Sequence, residues 1–196
     1  QIRRQRQMCI RDRIMNHPNI ISESLNLIAD FPRSGVVFRD ITPILASPQI
    51  SDAASTSLAE NIRSFGGTKV IGIESRGFIF ASVAANKTGL PLLLARKPGK
   101  LPKETFVKNY QLEYGTSSIE LHVDSGISKT DKVVIVDDLV ATGGTALAVA
   151  TLVSENFGIP HENILVLAVI DIGECDGGTQ INSKGYHYHT LFQSIL

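Results

Sequence analysis

Short apolar, β-branched runs alternate along the chain with segments whose apolar positions recur every three or four residues. Val70–Ile73, Leu92–Ala95, Val133–Val136 and Leu165–Ile170 predict buried strands, and Asp52–Ser64, Phe78–Lys87 and Thr145–Phe157 predict helices. Gly89-Leu90-Pro91 and Gly158-Ile159-Pro160 each stop a helix just ahead of a strand. Buried strands alternating with helices predict an α/β fold, a parallel sheet flanked by helices. In such sheets ligands bind beyond the carboxyl ends of the strands, so the loops that follow the strands are where chemistry is sought. Residues 99–122 break the alternation. Gly99–Glu104 is rich in Gly, Pro and Lys, and Leu112–Gly115 and Ser118–His122 look like strand pieces. They predict a hairpin outside the sheet, an excursion of the kind that often serves as a mobile lid.

The chain has 196 residues, 43% of them hydrophobic, a size that suits one domain with a sizeable core. Trp is absent and aromatics are few, so that core must be mostly aliphatic. The formal net charge of zero hides an asymmetry: residues 1–14 hold five Arg and one Asp, which leaves the rest at −4. An acidic body gives no footprint for nucleic acid. Residues 1–14 are expected to be a disordered or non-native extension, with Met15 a natural start and 15–196 a single domain. Cys9 and Cys175 form neither a CxxC pair nor a disulfide framework, so a reducing, cytoplasmic setting is expected. No apolar run approaches the roughly 18 residues of a membrane helix, and no membrane association is expected.

The richest stretch follows the third predicted strand. Asp137-Asp138-Leu139-Val140-Ala141-Thr142-Gly143-Gly144-Thr145 places two carboxylates at a strand end, then a small-residue turn opening a helix. Gly143 and Gly144 let backbone N–H groups approach a phosphate, and the helix start adds a positive dipole end. Ala141 contributes a further small position, and Thr142 and Thr145 offer hydroxyls. Carboxylates repel phosphate but suit hydroxyl groups. Together these residues point to a sugar phosphate, with ribose hydroxyls on Asp137 and Asp138 and the 5′-phosphate in the turn. Neither a Walker A loop nor a G-x-G-x-x-G fingerprint is present.

This run resembles the phosphoribosyl pyrophosphate (PRPP) signature of type I phosphoribosyltransferases. The resemblance implies that family's fold, here a five-stranded parallel core with an N-terminal hood and a flexible hairpin lid. It also implies PRPP as donor, Mg²⁺ bound with PRPP and not by a direct protein metal site, and a homodimer. Phe31-Pro32-Arg33-Ser34-Gly35-Val36-Val37-Phe38-Arg39-Asp40-Ile41-Thr42-Pro43-Ile44-Leu45 is similar to the N-terminal signature of the adenine phosphoribosyltransferases. That likeness implies a base site with Phe31 near the ring and main-chain groups of Val37 and Arg39 at the adenine edge. Glu74-Ser75-Arg76-Gly77 resembles the pyrophosphate loop, where Arg76 would pair with pyrophosphate oxygens and the Glu74–Ser75 peptide would be cis. Arg96, Lys97 and Lys100 would add positive charge, Tyr114 would help close the lid, and Glu113 would manage the proton on adenine.

The family pattern weakens after Ile170, where Asp171-Ile172-Gly173-Glu174-Cys175-Asp176-Gly177-Gly178 lacks the usual Leu-x-Gly-Arg turn. Asp171 is a looser candidate there. Two other functions fit the same donor signature: transfer to a 6-oxopurine, and a PRPP-binding regulator without catalysis. A regulator would need a DNA-binding module, and about 30 residues precede the signature.

Overall fold

In the computed structural model the described residues are 24–112 and 115–194, and the chain divides into two compact units, 1–57 and 58–196. The Arg-rich start, Glu113 and Tyr114 lie outside the described residues.

In the first unit, β1 (Asn26–Ala29) and β2 (Val37–Asp40) form an antiparallel hairpin with Ala29 opposite Val37. Asp30 turns the chain with φ +57°, and its carboxylate accepts the Gly35 N–H at 2.7 Å. The Phe31–Pro32 peptide is cis, and the Phe31 ring packs edge-on against Phe38 at 5.1 Å. Helix α1 (Thr42–Ala46) carries Pro43 in its first turn, where a missing N–H is harmless. Helix α2 (Pro48–Phe65) spans the boundary between the units.

The second unit holds β3 (Lys69–Ile73), α3 (Gly77–Thr88), β4 (Leu92–Ala95), β5 (Thr105–Leu112), β6 (Gly115–His122), β7 (Val133–Val140), α4 (Gly144–Phe157), β8 (Ile164–Ile172), α5 (Gly177–Ser183) and β9 (His187–Ser194). Five strands form the expected parallel sheet in the order β4-β3-β7-β8-β9. Its inner strands bury both faces. Ile71, Ile73, Val133, Ile135, Ile164, Val166 and Ala168 join a core with α4 residues and with Ile119 and Leu121 of β6. On β3, Gly72 faces α3 instead, where an added Cβ would lie 2.9 Å from that of Ala81. Period-two alternation between two covered faces is why these strands read as unbroken apolar runs.

The structure extends the sequence reading in two places. β5 and β6 pair along eight residues each as a separate two-stranded sheet, longer than the predicted pieces. Beyond Ile170, α5 and β9 complete the unit. β9 is an edge strand whose polar, half-exposed residues carry little apolar signal.

Candidate active site

Three loops at the carboxyl ends of neighbouring strands converge here. β3 runs into Glu74-Ser75-Arg76 and then α3, and the Glu74–Ser75 peptide is cis, as the resemblance implied. Gly77 opens α3 against the acids of β7: a Cβ there would meet Asp137 Oδ1 at 2.7 Å and the Val136 carbonyl oxygen at 3.0 Å. Glycine is therefore required for these two loops to lie side by side. Across the same contact the Arg76 guanidinium forms an ion pair with Asp138, Nε to Oδ2, at 3.0 Å.

β7 continues through both acids to Val140, because β8 runs alongside and pairs Asp137 with Ala168 and Val140 with Asp171. The carboxylates thus sit in the second half of β7, a few residues before the turn, and are held by the ladder. Asp137 Oδ1 accepts the Asp138 N–H at 2.9 Å. Burial, then the neighbouring charge of Asp138, pushes the pKa of Asp137 well above the usual carboxylate range. Burial also raises that of Asp138, and the Arg76 charge opposes the rise. Two partly desolvated acids, one of them paired with a guanidinium, are poorly satisfied by the protein alone. Hydroxyl donors from a bound sugar would relieve them.

The turn Ala141-Thr142-Gly143 leads into α4. Gly143 has φ +79°, a conformation L side chains rarely adopt, and it caps a helix whose first N–H groups lack intrahelical acceptors. Thr142 is exposed, and Thr145 donates its hydroxyl to the Tyr110 hydroxyl at 3.3 Å. Tyr110, on β5, is a neighbour of the turn that sequence reading did not single out.

The third loop follows β4. Arg96 does not reach outward as a free cation: its Nε donates to Glu74 Oε2 at 3.1 Å and its Nη1 donates to the Lys100 carbonyl at 3.0 Å. The Lys97 N–H also donates to Glu74 Oε2, at 3.0 Å. Burial alone would raise the Glu74 pKa, but the Lys97 N–H, the Arg96 guanidinium and the Lys100 charge outweigh it and hold the carboxylate below its ordinary value. Glu74 therefore fastens the third loop to the first. Glu120, nearly buried on β6, accepts the Gly99 N–H at 3.2 Å and braces the same loop from below. Lys97 and Lys100 are exposed, their ammonium groups available to an anion.

The hairpin has more buried contact than its composition predicts. Phe106 packs edge-on against Phe157 at 5.4 Å, and Lys108 Nζ lies 2.7 Å from a Glu155 carboxylate oxygen. β5 is thus docked along α4, whereas Gly99–Glu104, ahead of it, is mostly exposed.

Glu74, Ser75, Arg76, Arg96, Lys97, Lys100, Asp137, Asp138 and the turn 141–145 all belong to the second unit and its three converging loops. Phe31, Val37 and Arg39 belong to the first. There Phe31 is half exposed, and buried Arg39 donates from Nη1 to the Val37 carbonyl at 2.9 Å, so that carbonyl already has one donor. Sequence reading missed Glu120, Tyr110 and the Gly177-Gly178 pair. The doubled glycine was the only linear signal for the last. Among the described residues no helix is long and apolar enough to cross a membrane.

Comparison with known proteins places this geometry. The phosphoribosyl transferase domain family matches residues 40–158. The adenine phosphoribosyltransferase of Actinobacillus succinogenes is 42% identical over 173 residues, covering 88% of this chain and 94% of its own. That of Yersinia pestis is 40% identical over 171 residues, covering 87% and 89%. Among solved structures, the adenine phosphoribosyltransferase of Thermoanaerobacter pseudethanolicus superposes with a TM-score of 0.82 at 36% identity, covering 90% of this chain and 99% of that one. The Giardia lamblia enzyme complexed with 9-deazaadenine gives 0.83 at 31% identity, covering 92% and 97%. Matched along nearly their whole length by these relatives, and carrying the paired acids, the glycine turn and the arginine loop in one place, the chain belongs to the adenine phosphoribosyltransferases of the phosphoribosyl transferase family.

Proposed function

We propose that this chain transfers the 5-phosphoribosyl group of PRPP to adenine, forming AMP and releasing pyrophosphate, and that the three loops divide the work. The observation that carries the reading is the Arg76–Asp138 ion pair at 3.0 Å, which joins the pyrophosphate loop to the ribose acids. The Giardia relative's 9-deazaadenine, an adenine analogue, supports the choice of base. In the reaction the bond between C1′ and the pyrophosphate oxygen breaks while adenine N9 bonds to C1′. Positive charge grows on the ribose ring and negative charge on the leaving group. Asp137 and Asp138 hold the 2′- and 3′-hydroxyls, and Ala141, Thr142, Gly143, Gly144 and Thr145 seat the 5′-phosphate. Ser75 and Arg76 receive the pyrophosphate, with Lys97 and Lys100 above it and Glu74 holding Arg96 and the Lys97 main chain in place. Fixed charges in a preformed site stabilise the leaving group without reorganisation at the moment of reaction.

Mg²⁺ favours one or two carboxylates plus substrate phosphates and keeps several waters. Two adjacent acids, one engaged by a guanidinium, are too few for a dedicated cage and would suit an ion carried by PRPP, with Asp137 and Asp138 holding the donor and not the ion itself. When bound, the ion neutralises charge on the pyrophosphate.

Phe31 and main-chain groups of Val37 and Arg39 contact adenine. Glu113 acts beside N7: its carboxylate favours the tautomer with the proton on N7 and frees the N9 lone pair. Glu113→Gln keeps the shape but takes up no proton. It should lower kcat at least tenfold, since proton management contributes about 10²–10⁴-fold, with PRPP affinity nearly unchanged. A wild-type rate with chemistry rate-limiting would assign the proton to another group. Residues 15–196 act as one phosphoribosyltransferase domain with its hood, in the cytoplasm and as a homodimer. Ile79 and Val83 of α3 and Leu94 of β4 are exposed apolar side chains that a second copy would cover.

Closure centres on Gly99–Glu104, with Tyr114 contributing as the resemblance implies. Hydrogen exchange should slow there when PRPP and Mg²⁺ are added, while β5, docked on α4, is protected in both states. Equal protection of Gly99–Glu104 with and without ligand would argue against a lid. The assignment as a whole is tested by incubating the protein with adenine and PRPP: one pyrophosphate should appear per AMP, and pyrophosphate without AMP would point to hydrolysis instead.

A further inference from the structure

The segment after Ile170, where the family's sequence pattern is lost, brings the main chain of Gly177 against the phosphate turn. A Cβ on Gly177 would lie 2.1 Å from the Ala141 carbonyl oxygen, 2.7 Å from Val140 Cγ1 and 2.8 Å from the Gly143 nitrogen. The contact is reciprocal, since a Cβ on Gly143 would lie 3.0 Å from the Gly177 carbonyl oxygen and 3.3 Å from Ile181 Cγ1. The main chains at Gly177 and Gly143 can approach this closely because neither residue carries a side chain. Gly178 rests in turn on Tyr188 and Asp171: a Cβ there would meet Tyr188 Cε1 at 2.5 Å and Asp171 Oδ2 at 3.0 Å. Asp171 is 4% exposed and pairs in the sheet with Val140, the residue that leads into the turn. The turn is therefore backed by a close-packed stack, from the strand pair β8–β9 through Gly178 and Gly177 to Ala141 and Gly143.

We propose that Gly177 is a positioning residue for the 5′-phosphate. Its missing side chain lets α5 brace the main chain of Val140–Gly143, and this fixes where the N–H groups of the turn point. Tyr188 and Asp171 act through Gly178 as the support behind it. The inference rests on reading the turn as the phosphate seat. It adds a residue that never touches ligand yet sets the affinity for one half of PRPP. A side chain at Gly177 must push the Ala141 carbonyl away and rotate the turn, while the pyrophosphate loop, on β3, is left as it was.

Titration calorimetry of the whole chain with ribose 5-phosphate and, separately, with pyrophosphate distinguishes this from general packing. In Gly177→Ala, affinity for ribose 5-phosphate should fall at least tenfold, while affinity for pyrophosphate changes less than twofold. In steady state the KM for PRPP should rise more than kcat falls. If the variant does not fold, Tyr188→Leu tests the same support without adding bulk at the turn, and a drop of about threefold for ribose 5-phosphate alone is expected there. Thr142→Ala reads the seat itself. If it weakens ribose 5-phosphate binding and a folded Gly177→Ala does not, the positioning role is overturned and the seat stands. If Thr142→Ala leaves that binding unchanged, the seat assignment falls and this inference with it. Equal losses for both ligands in Gly177→Ala would also overturn it, as a general packing effect.

Discussion

Arg76→Gln should lower kcat/KM for PRPP by about 10²–10³-fold, the usual effect of removing one fixed donor aimed at developing negative charge. The guanidinium is placed for that task by its neighbours: it follows a buried strand, precedes a helix whose glycine fits against Asp137, and pairs with Asp138. Glutamine keeps a donor but loses the charge and the two-pronged fork that matches pyrophosphate oxygens. Arg76→Lys should fall between, with charge retained and the fork lost. A second consequence follows from the ion pair. The Arg76 charge opposes the burial-driven rise of the Asp138 pKa. Without it Asp138 takes up its proton at higher pH, so the acid limb of the pH–rate profile should move upward in the variant. Unchanged kcat/KM in Arg76→Gln would remove Arg76 from the chemistry.

Asp137→Asn should be a weaker enzyme and a more stable protein. Loss of a charge-assisted hydrogen bond to a ribose hydroxyl costs about 1.5–3 kcal/mol, roughly ten- to over a hundredfold in PRPP affinity or turnover. The stability change has the opposite sign. Burial and the Asp138 charge raise the Asp137 pKa well above the ordinary aspartate value of 3.8, so the folded chain holds this proton more tightly than the unfolded chain. The stability it contributes is complete below the unfolded value and is lost as pH rises through the folded one. At neutral pH and above, the wild-type protein carries that cost. The amide does not ionise, and its Oδ1 still accepts the Asp138 N–H. Thermal melts without ligand should therefore show Asp137→Asn with the higher Tm at pH 7–8, the gap closing as pH falls toward about 4. A lower Tm for the variant at neutral pH would mean that the ionised carboxylate is satisfied by the protein and needs no sugar.

Much of this was legible in the chain, for physical reasons. Inner strands such as Val133–Val136 and Leu165–Ile170 announce themselves because both faces are covered, which demands apolar residues at every position. The acids and the glycine turn could be read because their chemistry is contiguous in sequence. β9 could not be read, because an edge strand with one neighbour tolerates His, Thr and Gln among its residues. Nor could α5, seven residues opened by two glycines that a propensity argument assigns to a turn. The site's fastening also lies between distant residues: Glu74 with Arg96, Gly77 with Asp137, Gly177 with Ala141. Arg96 shows the consequence: its residue type suggests a cation for pyrophosphate, and only the fold shows that Glu74 also holds it and so shapes the loop that carries Lys97 and Lys100.

In the proposed reaction PRPP and adenine meet in the active site, and the base is read by groups suited to an amino edge. A site built to accept a proton from N6 leaves that acceptor unpaired against the O6 of hypoxanthine or guanine. The most direct test offers the full chain PRPP, Mg²⁺ and an equimolar mixture of adenine, hypoxanthine and guanine, and resolves the nucleotides formed. AMP should be the product in large excess, accompanied by an equal amount of pyrophosphate. IMP or GMP at comparable levels, or no nucleotide at all while PRPP still binds, would contradict the account.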